Sequence, residues 1–433
     1  MSLLRTAILV AVTACLIAYL PGYFKKPPPI VVHGKVAKGF EPVLQQFRKN
    51  FESGTDTRYG GSALAVYHKG KKIIDVWGGF ADVESNVEWR EDTMTVVFSA
   101  TKGIASICIA MLVDRGLLDY DKPVSEYWPE FAQKGKGKVT VRQLMEHRAG
   151  LTLMSPPGMN IETLSDVARA GELMATAEPQ WEIDGVKHGY HALTFGPLTN
   201  ELLRRVDPQH RTMGQFFAEE IAKPLGGLDF HIGLPLDQKY RVARLIEGKI
   251  GRLWGLDDPT IRQMTLHFLR TSYFSNMKQN QESILSTLAS FNNPYFQAVE
   301  LPSANGIGTA RAVAKIYGVL AAGGVDPETK TKLMSKERID AFMNAVTVTP
   351  DEVLGLDLAH TLGMVTTKYV MNGSIMGFGH EGAGGQKAWA DPKNQIGFSF
   401  VSNALSPYTY NGDVRSQDIT EILYECLRKE KLI

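Results

Sequence analysis

Apolar residues follow different periods at the two ends of the chain and in its middle. Residues 40–53 repeat apolar side chains at helical spacing, and residues 62–79 contain two β-like runs around a short turn, which predicts a hairpin. Near the other end, residues 386–390 and 395–402 predict a second strand pair, and residues 413–431 predict a terminal helix. Sheet and helix at both ends indicate one sheet domain that is interrupted by a long middle section.

That middle section, roughly residues 95–325, has mostly helical periodicity, clearest in Ser99–Arg115 and Thr309–Ala322. We therefore predict an α+β fold with a mostly antiparallel sheet, flanked by N- and C-terminal helices and interrupted by an inserted, mostly helical subdomain. Residues 236–296 have weak periodicity, and we interpret them as an insertion near the rim of a cleft. An active site between two such halves is a common arrangement.

A continuous apolar run at residues 7–20 distinguishes the N-terminus from the rest of the chain. Its fourteen residues suit the apolar core of a signal peptide, whereas the eighteen residues counted from Leu3 suit a short signal anchor. We expect residues 1–24 to be one or the other, with mitochondrial targeting as the alternative. Either of the first two places the folded part outside the cytosol, secreted or attached to the membrane.

A Pro-rich segment follows the apolar run. It begins with Lys25-Lys26-Pro27-Pro28-Pro29, and we interpret residues 25–39 as a stiff linker. The folded domain then covers residues 40–433. Within it, Asn372-Gly373-Ser374 is the only N-glycosylation sequon of the chain.

The balance of charge argues against nucleic acid or an anionic surface as a partner. Forty-seven Lys and Arg residues nearly cancel forty-six Asp and Glu residues, so the chain has no strong field of one sign. Cys15, Cys108 and Cys426 provide neither a disulfide framework nor the spacing of metal ligands. His188 and His191 lie three apart but lack a third ligand at a fitting spacing. We therefore expect no metal and no cofactor.

The strongest chemical signal is Ser99-Ala100-Thr101-Lys102, at the start of an apolar helical run. Residues three apart on a helix share a face, so the amine of Lys102 is within reach of the Ser99 hydroxyl. A serine needs a base to become a nucleophile, and a lysine serves as that base when burial lowers its pKa. The helix N-terminus also directs the Ser99 N–H at a developing oxyanion. The alternative is that Ser99 merely caps the helix.

Four separated motifs resemble the serine β-lactamase-like and penicillin-binding-protein-like family. They are FSATKGIASICIAMLVDRGLLDYDKPVSEYWPEF with the later VTVRQLMEHRAGL, GYHALTFGPLTNELLRRV, PSANGIGTARAVAKIYGVLAAGG and FGHEGAGGQKAWADPKNQIGFSFVSN. Within that family they are most similar to class C enzymes, D-alanyl-D-alanine carboxypeptidases and β-lactamase-like esterases, and animal β-lactamase-domain proteins share the pattern. The resemblance covers roughly residues 40–430, and it implies a serine hydrolase.

The resemblance also implies a role for each matching residue. Tyr190 falls on the family's catalytic tyrosine, which together with Lys102 would take the proton of Ser99 and return it to the leaving group. His380-Glu381-Gly382 fall on the substrate-binding strand, where many relatives have Lys-Thr-Gly. The N–H of Ala383 would be the second oxyanion donor beside that of Ser99.

Two departures from the family pattern bear on the substrate. Ala192 stands where relatives usually have an asparagine, whose amide contacts the acyl side chain of β-lactams and peptides. His380 replaces a lysine, and Glu381 beside it would repel a substrate carboxylate. We therefore predict a small-molecule acyl substrate, a neutral ester or amide. D-amino-acid peptidase or β-lactam-hydrolysing activity, and a weakly active scaffold of the same fold, are the alternatives. His147 and Glu146 are interpreted as structural support for the turn after them.

Overall fold

The computed structural model describes residues 30–52, 60–153, 156–247, 262–264, 266–267, 287–368, 375–406 and 413–433. Three of the sequence predictions lie outside these residues. They are the targeting segment at 1–24, the sequon at Asn372, and the central part of the insertion predicted at 236–296.

The strands fall in two groups, separated by a long stretch of helices and short strands. In chain order they are β1 Val32–Val36, β2 Gly61–His68, β3 Lys71–Asp82, β4 Val87–Glu88, β5 Thr95–Val96, β6 Phe230–His231, β7 Ile246–Glu247, β8 Ile307–Gly308, β9 Thr347–Pro350, β10 Asp357–Thr361, β11 Met364–Lys368, β12 Ile375–Gly382, β13 Gln386–Asp391, β14 Ile396–Ser402 and β15 Ala404–Leu405.

The helices lie mainly between the two groups of strands. They are α1 Glu41–Glu52, α2 Ala100–Asp114, α3 Val124–Tyr127, α4 Val141–Met145, α5 Ile161–Leu164, α6 Val167–Thr176, α7 Phe195–Val206, α8 Met213–Phe217, α9 Pro294–Ala298, α10 Ala310–Ala321, α11 Lys336–Asn344 and α12 Val414–Lys429. Short 3-10 turns occur at Pro129–Ala132, Lys136–Lys138, Leu236–Arg241 and Leu288–Asn292, and a π-turn at Ala218–Ala222. Among the described residues, no helix is both long enough and apolar enough to span a bilayer.

One sheet collects strands from both ends of the chain. Its order is β1-β3-β2-β14-β13-β12-β11-β10-β9, with β4 paired to β3, and its neighbours are antiparallel. The β2–β14 pair joins the two groups, with Val66 opposite Phe398. The predicted hairpin and the predicted second strand pair are both present in this sheet. The predicted α+β fold is thus confirmed.

Helices cover both faces of the sheet. Every residue of β14 is buried, as expected for a strand with helices on both sides. A Cβ on Gly397 would lie 2.1 Å from the nitrogen of Gly318 in α10, so only glycine allows that helix to come so close. The next residue, Phe398, points to the other face and stacks on Trp389, which in turn stacks on Tyr424 of α12. Helix α10 therefore covers one face of the sheet, and α12 covers the other.

Helix α2 positions the candidate site. Residues 100–112 of this helix are all buried, which matches its apolar composition on every side. It packs against α7 and against β12. Its first turn therefore stands beside the end of a sheet strand.

Within this sheet, the strands that the sequence analysis missed lie toward its two edges. Residues 32–36 belong to the predicted linker at 25–39 but form β1, which pairs with β3, so that part of the prediction is wrong. Three of the five residues of β1 are exposed, and an edge strand of this kind carries little apolar periodicity. Strands β9 and β10 at the opposite edge are mostly half-buried or exposed and were missed for the same reason.

Candidate active site

Ser99 stands directly before α2, after a strained residue. Phe98 has a φ of +47°, in the left-handed region that residues with a Cβ rarely occupy and that is common at functional sites. Thr101 holds this turn, because its Oγ1 donates to the Phe98 carbonyl at 2.5 Å and accepts the N–H of Gly306 at 2.8 Å. Ser99 itself has helical φ and ψ and makes no side-chain capping bond. Its hydroxyl is therefore not used as a helix cap.

Lys102 lies one turn further along α2 and is fully buried. Its Nζ is 3.4 Å from Ser99 Oγ and donates to the carbonyls of Ala192 at 2.7 Å and Ser303 at 2.8 Å. Burial lowers the pKa of this amine well below its ordinary value of 10.5. Within the described part of the chain, no carboxylate forms an ion pair that would counteract this effect. An amine in this setting is suited to act as a base.

Tyr190 lies over the amine of Lys102. The centroid of its ring is 4.7 Å from Lys102 Nζ, and the residue is only 6% exposed. Apolar side chains pack around the tyrosine on the side of β9 and β10, and we refer to them as the apolar wall: Val353, Leu354, Leu358 and Met264. The hydroxyl of Ser99, the amine of Lys102 and the phenol ring of Tyr190 are thus brought together, as the sequence predicted.

The end of β12 approaches the residues before Ser99. Pairing of β12 with β11 stops at Gly379, whereas pairing with β13 continues to Gly382, so the last residues of β12 have an open edge on one side. A Cβ on Gly382 would lie 2.1 Å from the carbonyl oxygen of Val97. Only glycine permits this approach, which holds the end of β12 against Val97, two residues before Ser99.

His380 is buried beside Lys102 and Tyr190. Its ring centroid is 6.2 Å from that of Tyr190, and its Nδ1 lies 2.6 Å from the carbonyl of Glu381, to which it donates. Burial is the main cause that lowers the pKa of His380 to about 3, and Lys102 adds to this effect only in its protonated form. The imidazole is therefore neutral at ordinary pH and offers no positive charge to a substrate carboxylate.

Glu381 forms an ion pair and is not an isolated charge beside His380. Successive side chains of a strand point to opposite faces, so Glu381 lies across the sheet from His380. Its Oε1 is 3.3 Å from Nζ of Lys387, its partner on β13. The negative charge is balanced by this lysine, and the predicted repulsion of a substrate carboxylate by Glu381 is not supported.

The histidines of the middle section are held by protein groups. His191 Nδ1 lies 2.7 Å from the Gly189 carbonyl and its Nε2 accepts the N–H of Leu151 at 3.1 Å, while His188 Nδ1 lies 2.7 Å from Asp351 Oδ2. Among the described residues, no three His, Cys, Asp or Glu side chains are arranged to hold a metal ion.

Two groups at the site were missed by the sequence analysis. They are the backbone carbonyls of Ala192 and Ser303, which accept both short hydrogen bonds of the Lys102 amine. Ser303 lies within a motif that carried the family resemblance, but a backbone carbonyl has no residue signature. Only the fold shows which carbonyl faces the amine.

Known proteins match this chain over most of its length. The model of the beta-lactamase family matches residues 44–418. The esterase/beta-lactamase LipL of Mycobacterium tuberculosis is 36% identical over 384 residues, which cover 86% of this chain and 83% of that protein. The crystal structure of a family VIII carboxylesterase matches with a TM-score of 0.79 and 32% identity, covering 92% of this chain and 100% of that one.

A shorter match is with the mitochondrial serine beta-lactamase-like protein LACTB of Mus musculus. It is 31% identical over 139 residues, which are 31% of this chain and 24% of that protein. The family model and the long matches together establish that the chain belongs to the beta-lactamase family. It is a serine hydrolase of the β-lactamase-like esterase type.

Proposed function

We propose that the protein hydrolyses a small, neutral carboxylic ester through an acyl-enzyme on Ser99. The observation that carries this proposal is the setting of Lys102: a fully buried amine, without a carboxylate partner among the described residues, 3.4 Å from the Ser99 hydroxyl. Burial favours the neutral amine, which has a lone pair for the hydroxyl proton. The strained turn at Phe98 places the Ser99 hydroxyl at the N-terminus of α2.

The reaction proceeds in two halves. In the first, Lys102 with Tyr190 takes the proton of Ser99 as Oγ attacks the ester carbonyl, and the N–H groups of Ser99 and Ala383 stabilise the oxyanion. Collapse of the tetrahedral intermediate breaks the bond to the alcohol oxygen, which receives the proton through Tyr190. In the second half, the same pair takes a proton from a water molecule as its oxygen attacks the acyl carbonyl. Collapse of this second tetrahedral intermediate breaks the bond to Ser99 Oγ, which receives the proton back, and releases the carboxylic acid.

Four features support a neutral ester as the substrate. His380 is neutral above about pH 3, so it cannot provide the charge that a lysine gives at this position. Lys387 is paired with Glu381 across the sheet from His380. Ala192 contributes its carbonyl to Lys102 and has no amide for a peptide-like acyl chain. The apolar wall beside Tyr190 suits an apolar acyl group.

Relatives support the same substrate class. One long match is called an esterase/beta-lactamase, and the structural match at 32% identity is a carboxylesterase. These descriptions belong to those proteins, and for this chain they support the proposal.

Active-site labelling tests the nucleophile. We would treat the wild type, Ser99→Ala and Ser106→Ala with a fluorophosphonate probe and assay a p-nitrophenyl ester. Ser106 is a matched control, because it lies on the same helix but its hydroxyl is sealed and donates to the Lys102 carbonyl at 2.8 Å. We expect Ser99→Ala to lose the label and at least about 10⁴-fold in kcat/KM, and Ser106→Ala to keep both.

The same assay separates the alternatives. Labelling that survives Ser99→Ala would reject the nucleophile. A chromogenic cephalosporin turned over as efficiently as the ester would favour β-lactam hydrolysis, and a wild type with neither label nor turnover would favour the scaffold.

We further propose that residues 1–24 direct or attach the enzyme to a membrane, with the catalytic domain outside the cytosol. The support is the apolar run at residues 7–20. Mitochondrial targeting is the alternative, and the relative LACTB is described as mitochondrial. Expression of the full chain in a eukaryotic host should give an endoglycosidase-sensitive form that Asn372→Gln removes; import into mitochondria would contradict the proposal.

A further inference from the structure

The short segment that carries Tyr190 is held on both sides by one residue, His147. The backbone carbonyl of His147 accepts the N–H of Gly189 at 3.0 Å, and its ring Nδ1 accepts the N–H of His191 at 3.1 Å. These two N–H groups belong to the residues directly before and after Tyr190. The His147 ring also packs against the tyrosine, with centroids 5.0 Å apart.

A second histidine, His191, connects the segment of Tyr190 to the loop that contains Leu151. His191 Nε2 accepts the N–H of Leu151 at 3.1 Å, and its Nδ1 donates to the Gly189 carbonyl at 2.7 Å. Thr194 Oγ1 donates to the Leu151 carbonyl at 2.5 Å, so the same loop is tied again four residues after Tyr190. The segment of Tyr190 therefore has few ways to move without breaking buried hydrogen bonds.

These bonds require one tautomer of each ring. A ring nitrogen that accepts a backbone N–H carries no proton, so His147 is protonated only on Nε2 and His191 only on Nδ1. A second proton on either ring would face a backbone N–H and would break the bond. Burial lowers the pKa of both rings and thereby keeps them neutral, with His191 at about 3.

The backbone of the same segment also contacts Lys102. The carbonyl of Ala192, one residue beyond His191, accepts a hydrogen bond from Lys102 Nζ at 2.7 Å. Displacement of this segment would therefore move the phenol and an acceptor of the amine together. The other titratable groups around the pair of rings are Lys102, His188 with Asp351, and His360, which stacks on His188 at 4.1 Å between centroids.

We propose that His147 and His191 are positioning residues that, as neutral rings accepting backbone N–H groups, fix Tyr190 and the Ala192 carbonyl against Lys102. This inference rests on the proposed acyl-enzyme chemistry. It assigns to His147 more than support of a turn, and it names the atom that matters in each ring: Nδ1 in His147 and Nε2 in His191.

Because the acceptor atom differs between the two rings, the same pair of substitutions should have opposite effects at the two positions. The Asn side-chain oxygen occupies a place close to Nδ1 of histidine, whereas the Gln oxygen reaches the place of Nε2. We expect His147→Asn to retain most of the wild-type kcat and His147→Gln to lose about 10²-fold, with KM changed much less. For His191 we expect the reverse, with Gln retained and Asn impaired.

Controls keep this result separate from backbone strain and from misfolding. His147 has a φ of +59°, which favours Asn over Gln, and the exposed His210 has a similar φ of +53°. His210→Asn and His210→Gln measure how much of any difference in thermal stability comes from φ alone. Circular dichroism and thermal unfolding show whether each variant is folded, independently of the activation of Ser99.

The outcomes separate the inference from the proposed function. Loss of kcat in the crossed pattern supports positioning by the acceptor atoms. Equal loss in Asn and Gln variants at one position, or wild-type kcat in all four, overturns it while Ser99-dependent labelling stands. Labelling that persists in Ser99→Ala rejects the proposed function, whatever the histidine variants do.

Discussion

Among the residues that the structure describes, two lysines are fully buried, and they lie in different regions of the molecule. Lys102 is on α2 beside the sheet, and Lys136 is in the 3-10 turn Lys136–Lys138 of the helical section. Each amine donates to two backbone carbonyls, those of Ala192 and Ser303 for Lys102 and those of Ala175 and Ala177 for Lys136. Each also lies near an aromatic ring, Tyr190 in one case and Phe131 in the other.

What differs is the chemistry within reach. Burial lowers the pKa of both amines, to about 8 for Lys136, so a lowered pKa by itself does not identify a base. Only Lys102 has a hydroxyl 3.4 Å away and a phenol over its amine. Lys136 links a turn to the end of α6 through two carbonyls, which is a structural task. The neighbours of a buried amine, rather than its burial, therefore indicate whether it is suited to act as a base or has a structural task.

The largest difference between the two lysines is expected in kcat/KM when each amine is removed. Lys102→Met should lower kcat/KM for a p-nitrophenyl ester by about 10³-fold, because the Ser99 proton then has no base. Lys136→Met should leave kcat/KM at the wild-type value, and circular dichroism should show both variants folded. Equal loss in the two variants would mean that burial of a lysine, wherever it lies, supports activity only through folding.

The pH dependence of catalysis sharpens the comparison. Only the neutral amine accepts a proton, so kcat/KM should fall about tenfold per pH unit below the pKa of Lys102. Because burial lowers that pKa, the acid limb should lie well below 10.5 and be unchanged by Lys136→Met. Rates between pH 5 and 10 check this. A limb that moves in Lys136→Met, or activity that appears only above pH 10, would contradict the assignment of Lys102.

The smallest expected effect concerns stability, since neutral histidines surround Lys102. His147, His191 and His380 have lowered pKa values in the folded state, so the unfolded chain binds more protons below about pH 6.5. Their contribution is complete above that pH and declines as the pH falls toward the folded values, about 3 for His191 and His380. Each of these histidines lowers the free energy of unfolding by up to about 1.4 kcal/mol for every pH unit by which the pH falls in this range.

Urea unfolding at pH 7.5, 6.5 and 5.5 measures this slope. We expect His380→Asn to make the slope shallower, because one titrating ring is gone. A slope that is the same in the wild type and the variant would show that His380 is not held neutral in the folded state.

Sequence reasoning succeeded where a signal is local. The α+β fold, the central strand pairs and the family were predicted, because each rests on periodicity or on motifs within a few dozen residues. The edge strand β1 was missed because most of its residues are exposed. The charge partner of Glu381, Lys387, was not predicted, because it becomes a neighbour only when β12 pairs with β13.

By itself, the sequence determined that a serine and a lysine share one face at the start of a helix, since three-residue spacing on a helix does so wherever that helix lies. The tertiary structure decided what that pair is chemically. The carbonyls that hold Lys102 lie 90 and 201 residues away in the chain, and the histidine that brackets Tyr190 lies 44 residues from its partner. A pKa depends on dehydration and on the nearest charges and dipoles, and packing brings these together only once the chain has folded.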